Sequence, residues 1–284
     1  MEANPADITE ENLDSWESYG VTRLSLGVQV LEDEVLFKLN RRQRTLDVIK
    51  AASLIPKYFD NFSFDFIIGL PDVSESAWKY TIEQALQWPL KHISIYFLTV
   101  HEKTPLYFKV ASGKTHLPND NSIITMYEWT IERLKAAGFE QYEISNFAKP
   151  GYESVHNRGY WDYELYKGFG VGACSFDGQR RFTNEKNLTR YLQYLETNTT
   201  EQLETHELLT LEQQKIERWM LGLRQKKGLA IQDMVDLLSN EEQKKFFSNV
   251  ETLKSQNFLC EYNNTLSLTT KGMILENEVL LKLL

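Results

Sequence analysis

Asp65 is the first residue that asks for a chemical explanation. It lies inside Phe62-Ser63-Phe64-Asp65-Phe66-Ile67-Ile68-Gly69-Leu70, a largely apolar stretch. A carboxylate there is costly unless it is paired or faces a polar site. It is read either as a structural partner of a lysine or backbone amide, or as a ligand contact near a strand's carboxyl end. Gln29 closes Gly27-Val28-Gln29 and is read equally as a surface glutamine or a ligand contact. Arg41 opens the basic run Arg41-Arg42-Gln43-Arg44. Such a run is ordinarily a solvated face, but one guanidinium in it can clamp a carboxylate or phosphate through paired bonds. His156-Asn157-x-x-Tyr160-Trp161 is the densest polar-aromatic cluster. A histidine among aromatics can cap a planar ligand or act as an axial metal ligand. The alternative is a satisfied loop histidine over a small aromatic core. Gly168-x-Gly170-x-Gly172 has neither the spacing nor the position of a dinucleotide fingerprint and reads as a tight turn. Cys174 and Cys260 read as small buried apolar residues. The sequence shows no Ser-His-Asp order, HExxH motif or phosphate loop.

Composition narrows the setting. The 284 residues hold 31 Lys+Arg against 40 Asp+Glu, a formal net charge of −9. That balance argues against a bulk nucleic-acid binder, which shows a basic stripe. Hydrophobic residues make up 42%, enough for a buried core. Two widely separated cysteines exclude a disulfide framework and a self-contained CxxC metal site, and fit a reducing cytosol. The start, Met1-Glu2-Ala3-Asn4-Pro5, has neither the basic nor the apolar region of a signal peptide. No window approaches the roughly 20 apolar residues of a membrane span. The expected location is cytoplasmic.

The elements that must position these residues follow from pattern. Thr9 caps a polar helix ended by Gly20. Residues 21–29 alternate apolar and polar as a strand does. Helices are predicted from about residue 31 and over 45–58. Residues 62–70 and 92–100 read as nearly continuous apolar strands of a buried parallel sheet, with a helix capped by Ser74 between them. After a loop to Asn121, a long helix stops at Gly138, and 139–145 reads as a fourth strand. Strands alternating with helices mean β/α units and a parallel sheet, part of a barrel or a doubly wound fold. Ligands in either gather at the strands' carboxyl ends. These ends hold Gln29, Asp65 with Gly69, Thr99 with Glu102, and Glu143 with Asn146. Beyond an aromatic, glycine-rich region, helices over 210–223, 231–238 and 241–256 precede a hairpin over 258–269, the pattern of a winged-helix module. Such modules often bind DNA. Here Glu241, Glu242 and Glu251 offset Lys244, Lys245 and Lys254, which favours a protein-contact or structural role.

Seven stretches read together resemble the radical-SAM proteins related to oxygen-independent coproporphyrinogen III oxidase, in their shorter, haem-chaperone branch, HemW. They are Glu2-Ala3-Asn4-Pro5, residues 20–29, Leu39-Asn40-Arg41, residues 65–71, His92-Ile93-Ser94-x-Tyr96-x-Leu98-Thr99, residues 142–147, and His156-Asn157-x-x-Tyr160-Trp161. Each motif is weak alone; seven in order across essentially the whole chain are highly specific. The resemblance implies a partial β/α barrel whose open top holds a 4Fe-4S cluster and S-adenosylmethionine, the source of a 5′-deoxyadenosyl radical. It places S-adenosylmethionine contacts at Glu2, Gln29, Arg41 and Asp65. Carboxylates can accept from the amino group and ribose hydroxyls, Gln29 can serve a hydroxyl, and Arg41 can pair with the methionine carboxylate. It likens His156, Asn157, Tyr160 and Trp161 to a haem-related signature. Haem or porphyrin, and a haem-acceptor protein, are the implied partners, without nucleic acid or membrane.

The expected fold is α/β: an incomplete radical-SAM (β/α) barrel with parallel strands, plus a small C-terminal winged-helix-like domain. The expected segments are 1–150 for the barrel part, 151–205 for an aromatic and glycine-rich region packed on it, and 206–284 for the C-terminal domain. The chain departs from the family pattern in several respects. The cluster's CxxxCxxC loop and a GGGTP-type stretch precede Glu2 in the family and are absent from this sequence. Cys174 and Cys260 cannot replace three clustered thiolates. Cys174 and Gln43 also stand where relatives often carry histidine. The expectation is that Met1 is an internal or mis-called start, or that the gene is split or truncated. It leaves residues 21–29 as an exposed edge strand. The expected function is that of a HemW-like haem-binding chaperone in haem metabolism. The alternatives are an oxygen-independent coproporphyrinogen III oxidase and a non-catalytic remnant or interaction module.

Overall fold

A computed structural model describes residues 1–197, 204–236 and 238–284. The chain forms two compact units, Met1–Glu153 and Ser154–Leu284. No described helix is long and apolar enough to cross a membrane.

The first unit is built on strands β1 (Glu2–Ala3), β2 (Leu24–Gln29), β3 (Phe62–Ile68), β4 (His92–Phe97), β5 (Glu140–Gln141) and β6 (Asn146–Ala148). Their order in the sheet is β1-β2-β3-β4-β6-β5. The first four run parallel, the βαβ arrangement predicted from the helix–strand alternation. The helices are α1 (Glu10–Ser18), α2 (Asp33–Lys38), α3 (Thr45–Leu54), α4 (Glu75–Ala85), α5 (Pro105–Ala111) and α6 (Asp120–Ala136). Thr9, Ser74, Thr104 and Asn119 each accept a backbone N–H at a helix start, which satisfies donors that the helix itself leaves open. One face of the sheet is apolar: Leu24, Leu26, Val28, Phe62, Phe64, Phe66, Ile93 and Ile95 are buried. Burying each such side chain is worth about 1.5–3 kcal/mol. Trp78 of α4, fully buried, donates its indole N–H to Thr130 of α6 at 2.8 Å and locks those two helices together.

Three expectations change here. The stretch 139–145 is not a fourth parallel strand. It divides into β5 and a turn leading to β6, which runs antiparallel to both β4 and β5. The fully buried Glu143 drives that turn, since its Oε1 accepts from the Ser145 amide (2.9 Å) and from Asn146 Nδ2 (2.5 Å). Strand β2 is not the sheet's edge, because β1 pairs with it through Glu2 opposite Ser25 and Ala3 opposite Leu26. The predicted loop before residue 121 contains α5, whose start Thr104-Pro105 carries the usual cap and first-turn proline.

The second unit opens with α7 (Val155–Trp161), then an antiparallel sheet of β7 (Cys174–Phe176), β8 (Arg180–Asn184) and β9 (Glu204–Leu208), with α8 (Leu188–Glu196) between β8 and β9. Next come α9 (Leu211–Leu223), β10 (Leu229–Ala230), α10 (Ile231–Val235), α11 (Asn240–Ser255), the hairpin β11 (Leu259–Tyr262) and β12 (Thr265–Leu268), α12 (Thr270–Ile274) and α13 (Glu276–Leu283). The predicted helix over 231–238 ends at Val235, and residue 237 lies outside the described residues. Strand β10 pairs with β12, which makes a three-stranded wing beside the helices. Trp219, Phe246, Leu253 and Leu266 are buried in this unit. Gly170 and Gly172 have positive φ, as a tight turn requires. The cysteines are exposed rather than buried. Cys174 Sγ lies 3.5 Å from Thr183 Oγ1 and Cys260 Sγ lies 3.2 Å from Ser267 Oγ, on outward faces of their hairpins.

Candidate functional site

The sheet's other face is polar, and strand periodicity builds it. Residues paired across a parallel ladder share a face. One row runs Glu2, Ser25, Ser63, His92, and the next runs Gly27, Asp65, Ser94, Asn146. Strands β3 and β4 are parallel and buried over most of their length, as the nearly continuous apolar runs predicted, while Ser63, Asp65, His92 and Ser94 turn to this polar side.

Asp65 is the centre of that face. Ser25 Oγ donates to its Oδ2 (2.8 Å) and Ser94 Oγ to its Oδ1 (2.7 Å). Arg23 Nη2 donates to Ser63 Oγ (3.0 Å), and Ser63 lies 2.7 Å from Ser25. Ser25 spends its only proton on Asp65, so Ser63 donates to Ser25. The guanidinium is thus linked to the carboxylate by a two-serine relay. Burial nevertheless outweighs these donors and pushes the Asp65 carboxyl up to about 6. His92, 1% exposed, places Nε2 2.8 Å from the Tyr142 hydroxyl, and burial pushes its imidazole down to about 3. Its Nδ1, Arg23 Nε and Asn146 Oδ1 are buried without a partner. Sequence reasoning missed Arg23, Ser25, Ser63, His92 and Ser94. The signal was present in Arg23-x-Ser25-x-Gly27 and His92-x-Ser94-x-Tyr96, whose polar positions recur at the strand period of two.

Gln29 and Arg41 meet at the end of β2. A register shift between Gly27 and Gln29 interrupts the β2–β3 ladder, and Gln29 takes a left-handed φ of 73°. Such a bulge re-aims a side chain. Arg41 Nη2 donates to the Gly27 carbonyl at 3.2 Å, while its Nε is buried without a partner. A Cβ on Gly27 would come within 2.8 Å of Gln29 Nε2 and 3.1 Å of Arg41 Nη2, so any larger residue there displaces the ends of this pair. Burial, with Arg42 nearby, lowers the Arg41 pKa from its ordinary value. Glu2 stands on the same face, exposed, on the strand beside Ser25. The first unit therefore brings Glu2, Gln29, Arg41 and Asp65 to one side of one sheet.

The histidine motif lies in the second unit, on α7. His156 is exposed and meets Tyr160 edge-on, with ring centroids 4.7 Å apart. Tyr160 packs edge-on against Tyr166, also at 4.7 Å. The Asn157 amide is capped by Ser154 Oγ at 3.3 Å. The Arg224 guanidinium stacks 4.5 Å above Trp161, whose Nε1 is buried without a partner. Trp161 borders a cavity of about 660 Å³ together with Arg218, Trp219, Gln225 and Lys227. It also borders a smaller one of about 180 Å³ with Tyr160, Tyr166 and Phe176. The ring contacts His156–Tyr160, Tyr160–Tyr166 and Tyr166–Phe176 make a small aromatic core like that of the alternative reading, and Trp161 lines a cavity beside it.

Donor chemistry sorts the two groups that the resemblance implies. The guanidinium of Arg41 and the side-chain amide of Gln29, which meet beside Gly27, are donors that suit the carboxylate and hydroxyls of S-adenosylmethionine. A 4Fe-4S cluster does not fit these residues. The sequence has two cysteines, both in the second unit and each beside a hydroxyl, and no metal-binding group occurs among the described residues.

Parallel β/α units with one polar sheet face place the first unit in the parallel α/β class. The radical SAM superfamily model matches residues 1–85. The solved structure of Escherichia coli coproporphyrinogen III oxidase HemN, a radical SAM enzyme, superposes with a TM-score of 0.78 at 22% identity, covering 99% of this chain and 68% of that one, which shows the shared fold. The haem chaperone HemW of Bacillus subtilis is 35% identical over 98% of this chain and 74% of its own length. That of Lactococcus lactis is 32% identical over 100% of this chain and 74% of its own. The chain belongs to the HemW family of radical-SAM proteins.

Proposed function

We propose that this protein is a cytoplasmic haem chaperone that binds haem through its second unit, holds S-adenosylmethionine on the polar face of its first, and passes haem to an acceptor protein. The observation that carries the reading is 35% identity to a haem chaperone over 98% of the chain. The Gly27–Gln29–Arg41 cradle and the α7 motif supply chemistry in keeping with it. In the family, bound S-adenosylmethionine supplies radical chemistry. Here the chain's own residues bind and orient it. Arg41 pairs with the methionine carboxylate, Gln29 serves a hydroxyl, and Asp65 and Glu2 accept from the amino group and ribose. On the second unit, the His156 imidazole is solvent-accessible for a haem iron. Free, exposed Cys174 and Cys260 accord with a reducing compartment.

Titration of the 284-residue chain with haem, followed by its Soret absorbance, tests the haem arm. Saturable binding is the expected outcome, weakened about tenfold or more in His156→Ala. No saturable binding would sink the chaperone reading, and an unchanged titration in His156→Ala would remove His156 from it. Calorimetric titration with S-adenosylmethionine tests the other arm, with Arg41→Ala expected to lose about tenfold in affinity.

A further inference from the structure

We infer that Gln43 is a positioning residue for the cofactor cradle, tying the segment after β1 to the bulge that carries Gln29. Gln43 sits in the loop between α2 and α3 and is fully buried (0% exposed). A buried primary amide is costly unless its groups are bonded, and here they are spent on a particular set of partners. Its Nε2 donates to the Gly27 carbonyl at 3.0 Å and reaches the Val28 carbonyl at 3.4 Å. Its Oε1 accepts from Asn4 Nδ2 at 2.9 Å. Asn4 uses its other side-chain atom, Oδ1, to accept from the Ala6 amide at 2.9 Å, capping the short turn Pro5–Asp7.

The consequence lies two residues away. Gln29 holds a left-handed φ of 73°, which a glutamine does not adopt without external support. The carbonyl that Gln43 grips belongs to Gly27, and the same oxygen accepts from Arg41 Nη2 at 3.2 Å. One buried amide therefore fixes the peptide against which both proposed cofactor contacts are set. Arg44 steadies the loop from the other side, with Nη1 donating to the carbonyls of Arg41 and Gln43, each at 3.0 Å. The inference rests on the proposed S-adenosylmethionine site, and its test separates the two.

Three variants of the full 284-residue chain decide it. Gln43→Leu keeps the bulk and removes both bonding groups. Gln43→His keeps one donor and one acceptor. Asn4→Asp keeps the acceptor that caps Pro5–Asp7 but removes the donor to Gln43. Each is read by calorimetric titration with S-adenosylmethionine, by hydrogen exchange of the peptide covering residues 27–30 without ligand, and by far-ultraviolet circular dichroism. Gln43→Leu is expected to weaken affinity about tenfold and to speed exchange at 27–30 with an unchanged dichroism spectrum. Gln43→His is expected to return to within about threefold of the parent, and Asn4→Asp to fall between. If Gln43→Leu does not fold, Asn4→Asp carries the same comparison. Parental affinity and exchange in a folded Gln43→Leu or Asn4→Asp would overturn the inference. So would faster exchange spread evenly over residues 1–153 without recovery in Gln43→His, which marks a merely structural role. If the parent binds no S-adenosylmethionine, the proposed cofactor site fails, while exchange at 27–30 still decides whether Gln43 braces the bulge.

Discussion

Asp65 shows how a single side chain couples function to stability. Two serine hydroxyls hold it, yet burial raises its carboxyl from 3.8 to about 6. The folded-state value lies above the unfolded one, so this group's favourable contribution is complete below pH 4 and is lost as pH rises through 6. The loss is on the order of 3 kcal/mol. Asp65→Asn removes the titration, and its amide can still meet Ser25 and Ser94. Urea unfolding of parent and variant across this range is expected to show the variant gaining about 3 kcal/mol over the parent between pH 4 and 7. A flat difference would show that Asp65 titrates like an exposed carboxyl. His92 acts with the opposite sign. Its folded value of about 3 lies below the ordinary 6.5, so its contribution is present above 6.5 and lost as pH falls. That effect is common to both proteins and cancels in the difference. The stabilised variant is expected to bind S-adenosylmethionine more weakly, the usual exchange of function for stability at a strained site.

At the scale of elements, the bulge at the end of β2 and the turn before β10 decide more than any helix. Gly27→Ala would press a methyl group against Gln29 Nε2 and Arg41 Nη2, both side-chain ends that can move. It is expected to leave the unfolding midpoint within a few degrees of the parent and to weaken S-adenosylmethionine binding about tenfold by calorimetry. Gly228→Ala meets a different obstacle. Gly228 has φ of 67°, and its Cβ would lie 2.2 Å from the Leu266 carbonyl oxygen, a backbone atom of β12 that cannot yield. Chemical unfolding is expected to show a loss of about 3 kcal/mol or more. Most elements were legible, since caps at Thr9 and Ser74 and stops at Gly20 and Gly138 mark them in one dimension. The reversal at 142–146 was not. Its apolar–polar pattern suits a strand equally well until the buried Glu143 carboxylate spends itself on the Ser145 amide and the Asn146 side chain.

For the molecule as a whole, charge speaks against one use that the second unit's wing suggests. On α11, Lys254 pairs with Glu251 and Glu261, each at 2.9 Å, and Lys245 Nζ donates to the Leu284 carbonyl at 3.0 Å. With a net charge of −9, little basic surface remains to displace counterions from a phosphate backbone. Fluorescence anisotropy with a labelled DNA duplex at low salt is expected to show no binding. A salt-dependent rise would restore the nucleic-acid reading. The proposed haem motif and the proposed S-adenosylmethionine contacts fall in different compact units, Ser154–Leu284 and Met1–Glu153. Variants of His156 and Arg41 therefore probe different ligands.

By itself the sequence determined the β/α alternation, the family, and four of the residues on the polar face, because these are written in periodicity, caps and ordered motifs. Tertiary structure decided which face of each strand is polar, that Arg23 reaches Asp65 through two serines, that the cysteines are exposed, and that Gln43 joins Asn4 to Gly27. The physical reason is distance along the chain. Asn4, Gly27 and Gln43 are far apart in sequence and meet only when parallel strands stack their ends, and a buried amide has no signature until its partners are beside it.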